Sequence, residues 1–228
     1  TDPIDAEMLA RYGRKEHDEL RPWHPDIPEM LQVRELLGFR TLCVDKVVAI
    51  RLAVNAADGM PARFIRSTFG PVIEKMEEAI HETDLKIKEL LKGNALYVGF
   101  LRMKGIGPLT AAALCWVFSK GPDKSDDAAV AFIGFDVQVR ESGRYKGMSK
   151  LTKRGDPLVR RFLYEAANSL RKNKDWLNLM LPYQARGLSK IQTNVVFARK
   201  LLRIAYAVAT YGVVYDEKVA LTGRHPNG

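Results

Sequence analysis

Ile73, Met76, Ile80, Thr83, Ile87 and Leu90 recur at alternating spacings of three and four, and charged residues fill the positions between them. Such a seam keeps one face of a helix buried along its length and excludes a strand over the same residues. A second stripe, Leu36, Cys43, Val47, Ile50 and Val54, runs through the stretch from Glu29 to about Ala57. Asp58-Gly59-Met60-Pro61 reads as a turn between the two, and the second helix extends from about Ala62 to Lys92, with a place for a bend at Gly70-Pro71. The expectation is a helical hairpin standing off the body as a stalk. Its seam is filled either from within the chain or by a second copy, the latter giving a homo-oligomer, dimer or tetramer.

Outside the stalk the helical signals are shorter. Thr1-Asp2-Pro3-Ile4-Asp5 opens like a helix, with an acid at the cap, proline in the first turn and a second acid three residues on. That helix is expected to stop at Gly13, and the proline-rich stretch from Arg21 to Pro28 reads as an extended connector. After Gly93-Asn94 glycines and clustered cations become frequent. A stripe of Phe197, Leu201, Ile204 and Val208 marks a closing helix from about Ser189 to Tyr211. No strand-length alternation stands out. The fold class is therefore mainly all-α, divided as residues 1–28, 29–94 and 95–228.

Charge narrows the partners. Lys and Arg number 36 against 27 Asp and Glu, a formal +9 that favours a polyanion. The longest apolar run, Ala111 to Phe118, is far too short to span a bilayer, so a membrane is not expected. Two lone cysteines, Cys43 and Cys115, and the lack of a signal peptide suggest a cytoplasmic protein. His17, His24, His81 and His225 have no metal-ligand spacing.

Two segments carry chemistry. In Met103-Lys104-Gly105-Ile106-Gly107-Pro108, glycines sit between one helix and the next. Gly105 and Gly107 suit a helix–hairpin–helix element, in which backbone amides and a helix start face a phosphate without reading a base. From Val139 to Arg161 the chain then carries Arg140, Arg144, Lys146, Lys150, Lys153, Arg154, Arg160 and Arg161, opposed only by Glu141 and Asp156. Dense cations on glycine-punctuated backbone suit close tracking of a phosphodiester chain. Ser142 and Ser149 lie inside this segment, where cations would stabilise charge developing on an attacked phosphate. A glycine hairpin followed by Asp136 also fits a base-excision glycosylase. However, Phe135-Asp136-Val137-Gln138 departs from that family's Val-Asp-Thr-His setting.

The order of these motifs resembles one family: Thr1 to Ala10, Leu20-Arg21-Pro22-Trp23, the long helices, Gly105-Ile106-Gly107-Pro108, Phe132-Ile133-Gly134-Phe135, Glu141-Ser142-Gly143, Ser149-Lys150, and Lys153-Arg154-Gly155-Asp156-Pro157 with Arg160-Arg161. Together they are similar to the insertion-sequence transposases of Piv/MooV type. The resemblance implies a RuvC-like nuclease domain whose end is residues 1–28, a coiled-coil stalk over 29–94, and a serine-bearing transposase domain over 95–228. It implies Ser142 as the nucleophile in DNA cleavage and rejoining, and Asp2 and Asp5 as the last two of four acids that hold Mg²⁺. The partners implied are DNA and, in some members, a guide RNA. The other two acids would precede Thr1, so the chain is expected to be a fragment or truncated form, with catalysis belonging to the full-length protein. A non-catalytic DNA- or RNA-binding remnant is the alternative reading.

Overall fold

A computed structural model describes residues 2–17, 27–119, 125–138, 141–142, 145–146 and 150–222. The elements follow as α1 (Asp2–Lys15), α2 (Pro28–Ala56), α3 (Gly59–Leu90), α4 (Ala95–Leu101), α5 (Pro108–Ser119) and α6 (Asp126–Ile133). Four two-residue strands come next: β1 (Val137–Gln138), β2 (Glu141–Ser142), β3 (Tyr145–Lys146) and β4 (Lys150–Leu151). The chain then continues through α7 (Pro157–Ser169), a 3₁₀ turn (Leu170–Lys172), α8 (Lys174–Ala185), α9 (Lys190–Tyr211) and α10 (Glu217–Thr222). The protein is mainly helical.

α2 and α3 form the stalk as an antiparallel pair, the most extensive helix contact among the described residues. Two cross-links set its register. The Arg40 guanidinium binds Asp84 through Nε at 2.7 Å and Nη2 at 3.3 Å, and Arg51 meets Glu77 at 2.5 Å. The seam is filled within the chain: Cys43 and Val47 are buried from α2, Ile73 and Ile87 from α3, and Met76, Ile80, Thr83 and Leu90 are half-buried. The expected turn over 58–61 is tighter than its residues suggest. α3 already starts at Gly59, whose φ of +67° sharpens the reversal, while the Asp58 side chain accepts from the Gly59 amide at 2.7 Å. Pro71 lies inside α3 without ending it.

The stalk is rooted in the body. Met30, Val33 and Leu37 at the start of α2, with Ile87 and Leu91 at the end of α3, belong to one apolar cluster that reaches Ala220 in α10. At its centre is α5, buried without interruption from Thr110 to Val117, because its Ala-rich sequence lets neighbouring helices approach from every side. Burial pushes the Cys115 thiol up to about 12. The stripe expected on the closing helix packs as core, with Phe197, Leu201 and Val208 buried and Ile204 half-buried. α9 begins at a capping box in which the Ser189 hydroxyl accepts from the Gln192 amide at 3.2 Å and the Gln192 side chain accepts from the Ser189 amide at 2.8 Å. α1 buries none of its residues and runs two residues past Gly13. No helix among the described residues is long and apolar enough to cross a membrane.

Candidate nucleic-acid interface

α4 and α5 are joined by the glycine hairpin at 102–107. The Ile106 amide donates to the Met103 carbonyl at 3.1 Å, and Gly105 takes a φ of +83°. A Cβ on Gly105 would lie 2.7 Å from Leu170 Cδ2, so this glycine both makes the turn and lets it seat on the end of α7. The two glycines differ here, for no heavy atom lies within 4 Å of the Cβ direction at Gly107. Beside the hairpin is a cleft of about 320 Å³ lined by Lys104, Gly105, Ser169, Leu170, Lys172 and Asn173. Lys104 and Lys172 thus face one hollow. Neither was legible as a site residue, because only the fold brings these two sequence positions together.

Among the described residues of the basic segment two antiparallel ladders are formed, one nested inside the other in sequence. In the outer ladder Val137 pairs with Leu151 and Gln138 with Lys150. In the inner ladder Glu141 pairs with Lys146 and Ser142 with Tyr145. Ser142 is therefore a strand residue, with Lys146 on the facing strand and Lys150 on the outer one. Arg140, Arg144 and Ser149 lie outside the described residues. Lys153 and Arg154 follow as exposed cations, with no acidic partner among the described residues. Lys153 holds a φ of +55°, unusual for a residue with a side chain.

The last two cations are engaged by the protein. Arg160 is half-buried, and its Nη1 donates to the Ile133 carbonyl at 2.9 Å and to the Gly155 carbonyl at 2.5 Å. Arg161 forks onto Asp45 of α2 with two bonds of 2.9 Å and donates from Nε to Glu165 at 2.9 Å. It ties α7 to the stalk. A second tie runs from Arg34 Nε to Asp156 Oδ2 at 2.7 Å, while Asp156 Oδ1 caps α7 by accepting from the Leu158 amide at 2.7 Å.

Asp136 stands at the entry to the serine strands and accepts a hydrogen bond from the Thr152 hydroxyl at their exit. Its carboxylate is engaged there. Asp2 and Asp5 are exposed in the first turn of α1. Two carboxylates fall short of the oxygen-rich shell that Mg²⁺ demands, and no cluster of three or more His, Cys, Asp or Glu among the described residues would hold an ion. Among the described residues, Asp2 and Asp5 are joined by no further ligand that would make up a metal site.

Residues 99–180 match the model of the Transposase IS116/IS110/IS902 family. The match takes in the hairpin, the serine strands and α7. No curated protein matches the chain.

Proposed function

We propose that this member of the IS110-type transposase family presents Ser142 to a DNA phosphodiester for strand cleavage and rejoining. The observation that carries the reading is the placement of Ser142 on a paired strand inside the matched segment, with exposed Lys153 and Arg154 following the outer ladder. A paired strand holds in place the backbone that carries the nucleophile. As Ser142 Oγ bonds to phosphorus, the bond from phosphorus to the leaving sugar oxygen breaks; the serine gives up its proton and the departing sugar oxygen gains one. Attack by another strand's hydroxyl on the serine–DNA link reverses the exchange and frees the serine. Cations nearby stabilise the charge gathering on the phosphoryl oxygens.

Lys146, Lys150, Lys153 and Arg154 form the phosphate-binding face in this reading. The cleft of Lys104 and Lys172 beside Gly105 offers a further phosphate seat, and Gly107 leaves the hairpin's other side open to the backbone. The same cations accept an RNA strand, so a guide RNA would compete for or extend this face. The stalk is the surface for self-association: Phe39, Leu42, Val48, Leu52, Phe64 and Phe69 stay exposed on it. Asp2 and Asp5 alone do not complete a shell for Mg²⁺, so further oxygen ligands would be needed to hold it.

In a full-length version, Ser142→Ala is expected to abolish strand transfer while DNA binding persists; unchanged transfer would end the serine assignment. Charge reversal at Lys150, Lys153 and Arg154 together is expected to flatten the salt dependence of DNA affinity, lowering the log–log slope by roughly 2 to 3. A slope that does not move would remove these residues from the interface.

A further inference from the structure

The serine strands leave and re-enter the body through one narrow neck, and its construction is unusually tight. The entering limb, 132–136, takes in the end of α6. The leaving limb, 152–155, precedes α7. The limbs meet backbone to backbone: a Cβ on Gly155 would lie 2.0 Å from the Phe132 carbonyl oxygen, and one on Gly134 would lie 2.7 Å from the Arg154 nitrogen. Gly134 also takes a φ of +75° as the cap of α6. Two backbone bonds stitch the limbs, from the Thr152 amide to the Asp136 carbonyl at 3.0 Å and from the Lys153 amide to the Gly134 carbonyl at 3.1 Å. The hydroxyl of Thr152 donates to the Asp136 carboxylate, and Arg160 Nη1 spans both limbs by donating to Ile133 and Gly155. Each limb is anchored below, since Ile133 and Phe135 are buried in the core and Asp156 is held by Arg34.

We propose that this neck fixes the direction in which the serine strands stand, and that Asp136, Thr152 and Arg160 are positioning residues for the reaction at Ser142. The proposal rests on the serine reading above and removes Arg160 from the phosphate-binding set. A guanidinium that donates to two backbone carbonyls, half-buried and with its pKa held below the usual arginine range by that burial, has its hydrogen bonds committed to the fold. The reason for such a neck is mechanical. Two-residue ladders have little stability of their own, whereas displacement of a reacting atom by about 1 Å can cost roughly a hundredfold in rate. Stitching both limbs at their base gives the strands a fixed origin.

The test uses the full-length protein with a DNA substrate whose released strand is too short to rejoin, so that the serine–DNA adduct accumulates. At saturating DNA, Thr152→Val and Arg160→Gln are expected to lower adduct formation by about tenfold to a hundredfold. Thr152→Ser, which keeps the hydroxyl, should restore it. DNA affinity and its salt dependence should be unchanged by Arg160→Gln. Amide hydrogen exchange at Thr152 and Lys153 should accelerate in Thr152→Val. Adduct formation at the wild-type rate in both variants would overturn the proposal. So would a salt slope lowered by about 0.9 in Arg160→Gln, the signature of a lost phosphate contact. An adduct that survives Ser142→Ala would sink the serine reading alone, and unchanged exchange in Thr152→Val would sink the neck alone.

Discussion

Gly155→Ala is expected to destabilise the protein by about 4 kcal/mol or more, at the far end of single-substitution effects. The added methyl carbon would sit 2.0 Å from the Phe132 carbonyl oxygen, 2.4 Å from the Ile133 carbonyl carbon and 2.6 Å from Ile133 Cα. All three are backbone atoms, so no rotamer change relieves the overlap. Moving the 132–134 limb away would pull Ile133 out of the core, and moving the 153–155 limb would strip Arg160 of one of its two carbonyls. Gly107→Ala serves as the comparison. Its methyl meets nothing within 4 Å, so its cost should stay within about half a kcal/mol. Urea unfolding of the two variants checks both, and similar midpoints would contradict the crossing.

Trp176→Ala is expected to cost about 3–5 kcal/mol. The indole is fully buried and stands edge-on to Phe197, with centroids 6.2 Å apart and planes at 75°. Its Nε1 donates to Glu217 Oε1 at 3.0 Å, which ties α10 to α8. Truncation leaves a large cavity among α8, α9 and α10 and takes away a donor from Glu217. Trp176→Phe separates the two losses: it keeps most of the packing and gives up the hydrogen bond, so about 1–2 kcal/mol should remain. Thermal or urea unfolding distinguishes the variants, and equal costs for Ala and Phe would mean that the hydrogen bond, not packing, dominates.

Much of the helical frame is written locally in the residues. Asp156-Pro157 announces the start of α7, Ser189 with Gln192 announces α9, and the three-four spacing from Ile73 to Leu90 announces the stalk. Each of these signals depends on neighbours within a turn or two, so it can be read without the fold. The neck could not be read in that way. Gly134 and Gly155 look like ordinary loop glycines until the two limbs are laid against each other. The basic segment shows the same limit. Arg160 and Arg161 count as cations among cations in the sequence, yet their partners Ile133 and Asp45 lie 27 and 116 residues away. A charge pattern records how many cations a segment holds, not which of them a distant acid or carbonyl will engage. Lys104 and Lys172 are the converse case, two unremarkable lysines that the fold sets around one cleft. Ladders of two residues are also too short to show an alternating period.

The most direct measurement of the serine reading is to trap the protein–DNA adduct in the full-length protein, digest it, and locate the attached nucleotide by peptide mass mapping. The nucleotide is expected on Ser142, in the first strand of the inner ladder. Attachment at another residue, Ser149 included, or cleavage with no covalent link at all, would contradict it.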